Sequence, residues 1–217
     1  MPIKVIITGV TGMVGEGVLF ECAENPQVSD ILIVGRKAYG FNHPKVKELV
    51  VPDFFQLDAH SDAIAGYDAC LFCAGISSVG MSEEKYTHIT YDTTLAFANS
   101  LLKVNNNLTF CYISGLYTDG TEKGSSMWAR VKGRTENALD KLPFKAEYNF
   151  RPGGMLATKG QKNSKWIYTV LVKAMRLFTP KSIITFTELG KAMINATTKG
   201  YDQNVLEISD IKKLAQA

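Results

Sequence analysis

The chain has 217 residues, 46% of them hydrophobic and 21% charged, with a formal charge of +3, which suits one globular domain with a sizeable core. So mild a charge, with no basic block, offers no electrostatic footprint for nucleic acid. The longest greasy segment, WIYTVLVKAMRLF at 166–178, is broken by Lys173 and Arg176 and is too short to span a bilayer, and the opening MPIKVIITG lacks a leader pattern, so a cytoplasmic protein is expected.

In chain order, the first apolar run is IKVIIT (3–8), read as a strand. It passes directly into GVTGMVGEGVLF, where Gly9, Gly12 and Gly15 form a G-x-x-G-x-x-G pattern ahead of a helical stretch, 15–25. Glycines there let the backbone turn tightly and approach a pyrophosphate held at a helix N-terminus. Lying after a strand and before a helix, the triplet reads as a dinucleotide-binding turn rather than a plain structural one, with Thr11, Met13 and Val14 as its other members. No G-x-x-x-x-G-K-[ST] occurs, which disfavours a nucleotide triphosphatase.

The second strand, DILIVG (30–35), ends in Arg36 and Lys37. An acidic residue about 20 positions beyond the glycines would bind the ribose 2′-hydroxyl of NAD. Here a guanidinium suited to a 2′-phosphate stands instead, so NADP(H) is favoured over NAD(H). Further strands are read at 47–54, 69–75, 108–114 and 146–152, and helices at 83–104 and 126–141. Near-continuous apolar strands separated by helices predict a parallel sheet covered on both faces, an α/β fold. Cys70 and Cys73 form a CxxC, but on a strand their side chains face opposite ways, so buried thiols are expected and no metal site. The rhythm breaks near residue 156. A loop at 158–165, the apolar 166–178 segment and a stretch at 187–200 predict a small substrate-side cap, about 156–200, on a single domain spanning 1–217.

TGVTGMVGEG, GRK, VVPDF, CAG, the strand-end serine of YISG and the late RPGGML together resemble the short-chain dehydrogenase/reductase superfamily. The likeness is greatest to its atypical, epimerase-like NAD(P)-binding members, and it runs from residue 3 to about 155. The resemblance implies a Rossmann-like doubly wound sheet. It implies that Asp53 and Phe54 lie against the adenine, and that Ala74 and Gly75 line the ribose and nicotinamide channel. By the same resemblance Pro152 and Gly153 pass the nicotinamide carboxamide, Ser114 polarises a substrate carbonyl, and Lys132 holds the nicotinamide ribose. Helices 83–104 and 126–141 are the family's usual pairing surface, which makes a homodimer one candidate assembly and leaves the oligomeric state open.

One position departs from the pattern. Four residues before Lys132, where the resemblance implies a catalytic tyrosine, stands Trp128. The i, i+4 spacing would put both side chains on one helix face. An indole N–H donates a hydrogen bond but has no phenolate form, so Trp128 cannot take over proton transfer. Tyr117, in SGLYTDG, is a substitute candidate, and Asp119 a weaker one. Two readings stay open: an NADP(H)-dependent reductase or epimerase-like enzyme of an unidentified carbonyl or hydroxyl compound, using Ser114, Lys132 and Tyr117, or a catalytically silent NADP(H) sensor or protein-binding scaffold.

Overall fold

The computed structural model describes residues 1–157, 160–163 and 182–217. The expected loop and apolar segment at 158–178 thus fall largely outside the described residues. Seven strands form an all-parallel sheet: β1 (Ile3–Thr8), β2 (Val28–Gly35), β3 (Val46–Val50), β4 (Ala69–Phe72), β5 (Thr109–Ile113), β6 (Ala146–Phe150) and β9 (Val205–Leu206), in the order β3-β2-β1-β4-β5-β6-β9. A separate parallel pair joins β7 (Gly154–Leu156) to β8 (Ile183–Thr185). The chain winds outward from β1 through β2 and β3, then returns to β1's other side with β4. That reversal opens a crevice at the carboxyl ends of β1 and β4, where ligands of such sheets bind.

Alternation along the strands sends side chains into two cores. Val5, Ile7, Ile31, Ile33, Leu71, Cys111 and Phe150 face α1 (Met13–Glu24), α6 (Phe186–Lys199) and α7 (Ile208–Ala215). Ile6, Leu32, Val34, Cys70, Phe72, Phe110 and Tyr112 face the other layer. It contains a 3-10 turn at Phe54–His60, α2 (Ser61–Ile64), α3 (Glu83–Thr87), α4 (Thr93–Val104) and α5 (Met127–Leu139). Both faces of the sheet are therefore buried, which is why its strands read as unbroken apolar runs. Cys70 and Cys73 lie in opposite cores, as the strand period requires.

The expected 83–104 helix is three pieces, because a π-turn at His88–Asp92 separates α3 from α4. The third strand is shorter than expected: Pro52 cannot extend the ladder, and Asp53 caps the 3-10 turn by accepting from the Phe55 N–H (3.0 Å). The stretch 187–200, expected in the cap, is α6. It starts with a capping box between Thr185 and Glu188 and packs on α1. The two helices touch through glycines. A Cβ on Gly17 would stand 2.4 Å from Phe186 Cβ, and one on Gly190 2.7 Å from Glu21 Cβ. No helix among the described residues is long and apolar enough to cross a membrane.

Candidate cofactor and substrate site

The glycine turn sits at the carboxyl end of β1. Gly9 has φ +70°, and a Cβ there would lie 2.5 Å from the Cys73 carbonyl oxygen at the end of β4. A Cβ on Gly15 would come within 2.3 Å of the Gly9 carbonyl oxygen. Both approaches are closer than any side chain tolerates, so the turn is pressed against β4 and folded onto itself. The Gly12 N–H donates to Gly9 O (2.9 Å), and Gly12 forms the N-cap of α1 without a side-chain cap. Thr11 and Gly12 are exposed, Met13 and Val14 half-buried. The result is a shallow backbone cradle ending in a helix N-terminus, a fit for a pyrophosphate.

The turn after β2 is tied down from behind. Glu48 on β3 accepts from the N–H groups of Tyr39, Gly40 and Phe41 at 2.8, 2.8 and 3.0 Å. The Tyr39 hydroxyl donates to Glu16 of α1 (2.7 Å), and burial beside that carboxylate pushes the phenol well above its ordinary range. Arg36 and Lys37 stay exposed, and no ion pair holds either among the described residues.

Phe54, expected against an adenine, opens the 3-10 turn after β3. Its ring is buried against Phe97 (5.0 Å between centroids), and the Asp53 carboxylate is engaged as a cap. Ala74 and Gly75 leave β4 beside the crevice, with the Ala74 N–H donating to Thr8 Oγ1 (3.0 Å). Pro152 and Gly153 are stitched to the loop after β5, since Leu116 N–H donates to Pro152 O (3.0 Å).

Ser114 and Lys132 come together at the end of β5. Lys132 Nζ donates to Ile113 O (3.0 Å), the carbonyl preceding Ser114, and reaches the Tyr112 hydroxyl at 3.5 Å. Burial pulls the Lys132 ammonium down to about 8, partly offset by Glu136 one helical turn along. Ser114 is buried and shares a hydrogen with Thr118 across 2.9 Å. Thr118 Oγ1 also donates to Gly115 O (2.8 Å). A threonine hydroxyl has one proton, so the hydrogen between the two hydroxyls is Ser114's. Ser114 therefore turns only lone pairs toward a ligand in this arrangement, the reverse of polarising a carbonyl. Trp128 packs its indole over the next residue: its Cζ3 is 3.6 Å from where a Gly115 Cβ would be.

Tyr117 is not gathered into this group. Its backbone is left-handed (φ +68°) and its side chain is 81% exposed. Asp119 is spent on its own loop, accepting from Thr121 N–H, Thr121 Oγ1 and Gly124 N–H at 3.0, 2.6 and 2.6 Å. Those bonds hold its carboxyl below the usual range. Five supporting residues escaped the sequence reading, Thr118, Gly133, Glu136, Arg151 and Glu207. Thr118 fixes the direction of the Ser114 hydrogen bond. Gly133 lets α5 lie against this loop, since a Cβ there would overlap Asp119 O at 1.8 Å. Arg151 grips Glu136 with two bonds, Nε to Oε1 at 3.0 Å and Nη2 to Oε2 at 2.5 Å, and reaches Glu207 at 3.2 Å. A glycine inside a helical stretch was the available signal for Gly133; a solitary Glu136 or Arg151 carries none.

A family model of the NAD dependent epimerase/dehydratase family matches residues 5–137, from β1 into the last turn of α5. The chain belongs to the NAD dependent epimerase/dehydratase family. Protein HTATIP2 of Rattus norvegicus is 27% identical over 169 residues, covering 76% of this chain and 68% of that protein. Among solved structures, Bordetella bronchiseptica WbmF in complex with NAD+ superposes with a TM-score of 0.68 at 15% identity, over 99% of this chain and 76% of WbmF. Carbonyl reductase Sniffer of D. melanogaster does so with a TM-score of 0.65 at 14% identity, over 96% and 97%. At such identities the two superpositions speak for the shared fold. They agree with the seven-strand parallel sheet, and the family is one that binds a nucleotide cofactor.

Proposed function

We propose that the protein binds NADP(H) and is a reductase- or epimerase-like member of its family, acting on a small carbonyl or hydroxyl compound. The observation that carries the cofactor choice is the pair Arg36 and Lys37, exposed and without ion-pair partners among the described residues, at the end of β2 beside the glycine turn. A guanidinium there matches a 2′-phosphate. The glycine turn with Thr11, Met13 and Val14 would hold the pyrophosphate, and Ala74, Gly75, Pro152 and Gly153 would border the nicotinamide ribose. When bound, the nicotinamide supplies or accepts a hydride.

The chain's own residues divide the remaining work. Lys132 gives one N–H to Ile113 O and points another toward Tyr112, which leaves a third to reach a substrate oxygen. With its ammonium drawn down to about 8, it can release a proton near neutral pH, a task the indole of Trp128 cannot perform. Ser114 accepts from a substrate hydroxyl, and Trp128 offers an apolar wall over Gly115. Part of residues 156–200 would close the substrate side, and the protein would be cytoplasmic, pairing through α3, α4 and α5.

A second reading, a cofactor-binding protein without turnover, is favoured by Trp128 itself, whose ring packs on the loop where a proton donor would stand. The test of the proposal is calorimetric titration with NADPH and NADH, repeated on Arg36→Ala. Selective NADPH binding that the substitution weakens supports it; binding of neither cofactor overturns both readings. Turnover separates them: no change in NADPH absorbance with any carbonyl panel, in protein that binds NADPH, supports the silent protein.

A further inference from the structure

Glu16 sits in the first turn of α1 with its side chain fully buried. Its oxygens gather two separate parts of the chain. Oε1 accepts from the Tyr39 hydroxyl (2.7 Å) and from the Lys162 N–H (2.9 Å), while Oε2 accepts from the Asn163 N–H (2.9 Å). Gln161 adds a bond from its Nε2 to Met13 O (2.7 Å). Residues 161–163 are thus laid across the first turn of α1. One carboxylate oxygen receives both the Tyr39 hydroxyl and the Lys162 N–H, so residues 161–163 meet, at Glu16, the side chain that reaches over from the turn after β2. The Lys162 side chain is exposed, and no ion pair engages it among the described residues.

The charge balance makes this placement consequential. A buried carboxylate in the first turn of α1 stands close to where the cofactor's phosphates would lie, and an anion there opposes another anion. Its partners are two backbone N–H groups and a phenol, which bring dipoles but no compensating charge. Cations on the open side must offset it. Arg36 and Lys37 provide two, and the backbone of Lys162 is pinned where its flexible stem can bring a third.

We propose that Lys162 completes the phosphate site, acting with Arg36 and Lys37 on the 2′-phosphate of NADP(H). This rests on the cofactor reading given above. The ribose 2′ position of a dinucleotide lies at the end of the second strand, which is the turn that Tyr39 and Glu16 bring against residues 161–163. A point charge on a mobile stem suits phosphate without needing fixed geometry. The glycine turn and the residues after β2 were the sequence signals for this site; Lys162 lies far along the chain, in a loop with no motif.

The test is calorimetric titration of the full chain with NADPH and with NADH, for the parent, Lys162→Ala and Lys162→Arg. Lys162→Ala is expected to weaken NADPH roughly tenfold, the equivalent of one charge-assisted contact, and to leave NADH unchanged. Lys162→Arg should retain most of the NADPH affinity, and the effect should shrink at high salt. Equal weakening of both cofactors would put Lys162 on a group common to them and overturn the 2′-phosphate assignment. So would NADPH binding that Lys162→Ala leaves intact, and in that case the cofactor reading still stands. If the parent binds neither cofactor, the cofactor reading itself is lost and this inference goes with it.

Discussion

The glycine turn after β1 and the edge formed by β5 and α5 flank the same crevice, yet they are built on opposite principles. At the turn, the close contacts point inward: Gly9 rests on Cys73 and Gly15 on Gly9, leaving Thr11 and Gly12 exposed. At the β5 edge, the polar groups satisfy one another. Ser114 gives its proton to Thr118, Thr118 gives its own to Gly115 O, Asp119 holds its loop, and Lys132 leans on Ile113 O. The turn is a receptacle shaped by sterics. The edge is a closed hydrogen-bond circuit with one ammonium N–H left over. Steric requirements tolerate almost no substitution, whereas the direction of a hydrogen bond can be reversed by one atom.

The largest effect should come from attacking the steric side. Gly15→Ala puts a Cβ 2.3 Å from Gly9 O, an overpacking that costs about 3 kcal/mol or more. Thermal unfolding should show the loss, and any folded fraction should no longer bind NADPH. Next is Arg151→Ala, which strands the buried Glu136 of α5. Breaking such a pair costs about 3 kcal/mol, read as a lower urea midpoint, and replacing both residues by apolar ones should recover much of it.

The pH response of Lys132 sharpens the other side. Its ammonium is depressed from an ordinary 10.5 to about 8, so between those values the unfolded chain binds more protons than the native one. Stability from this residue therefore rises as pH climbs from about 8 to 10.5, and is flat below. Urea unfolding of the parent against Lys132→Met should show the parent gaining over the variant across that window. Carbonyl reduction should fall as pH rises through about 8, as the acid form is lost.

Thr118→Val should have the smallest effect on stability, about 1 kcal/mol, but an informative one on chemistry. With its acceptor gone, Ser114 regains a free proton. Reduction of a generic aromatic ketone should speed up; an unchanged or slower rate would mean that the Ser114 hydrogen is not what limits carbonyl binding.

What the sequence disclosed follows the same division. Requirements that are local and steric are written in local spacing, so the glycine triplet, the alternating strands and the both-faces-buried sheet could be read directly. The sheet edges were less legible: Pro52 cuts β3 short, and β9 is only Val205–Leu206. The π-turn at His88–Asp92 left no mark in the apolar period of 83–104. At the β5 edge the residue types were legible but their bonding was not. Ser114, Lys132 and Trp128 stand where spacing put them, whereas the polarity of the Ser114 bond depends on where Thr118 spends its single proton. Tyr117 looked usable by proximity in the chain; its left-handed backbone and exposure show how little chain distance says within a loop.

The contact of Gly17 with Phe186 carries a consequence for how the protein is made. The helix that follows the glycine turn emerges from the ribosome long before the ring it packs against is synthesised. Until α6 is out, α1 alone covers that face of β1 and β2, and the nascent chain must hold part of an apolar sheet open. Long-range closure of this kind slows folding and extends the interval in which a chaperone is useful. A ribosome stalled with Phe186 still inside its exit tunnel should therefore carry a chain that proteases cut readily within α1, while the released chain should not.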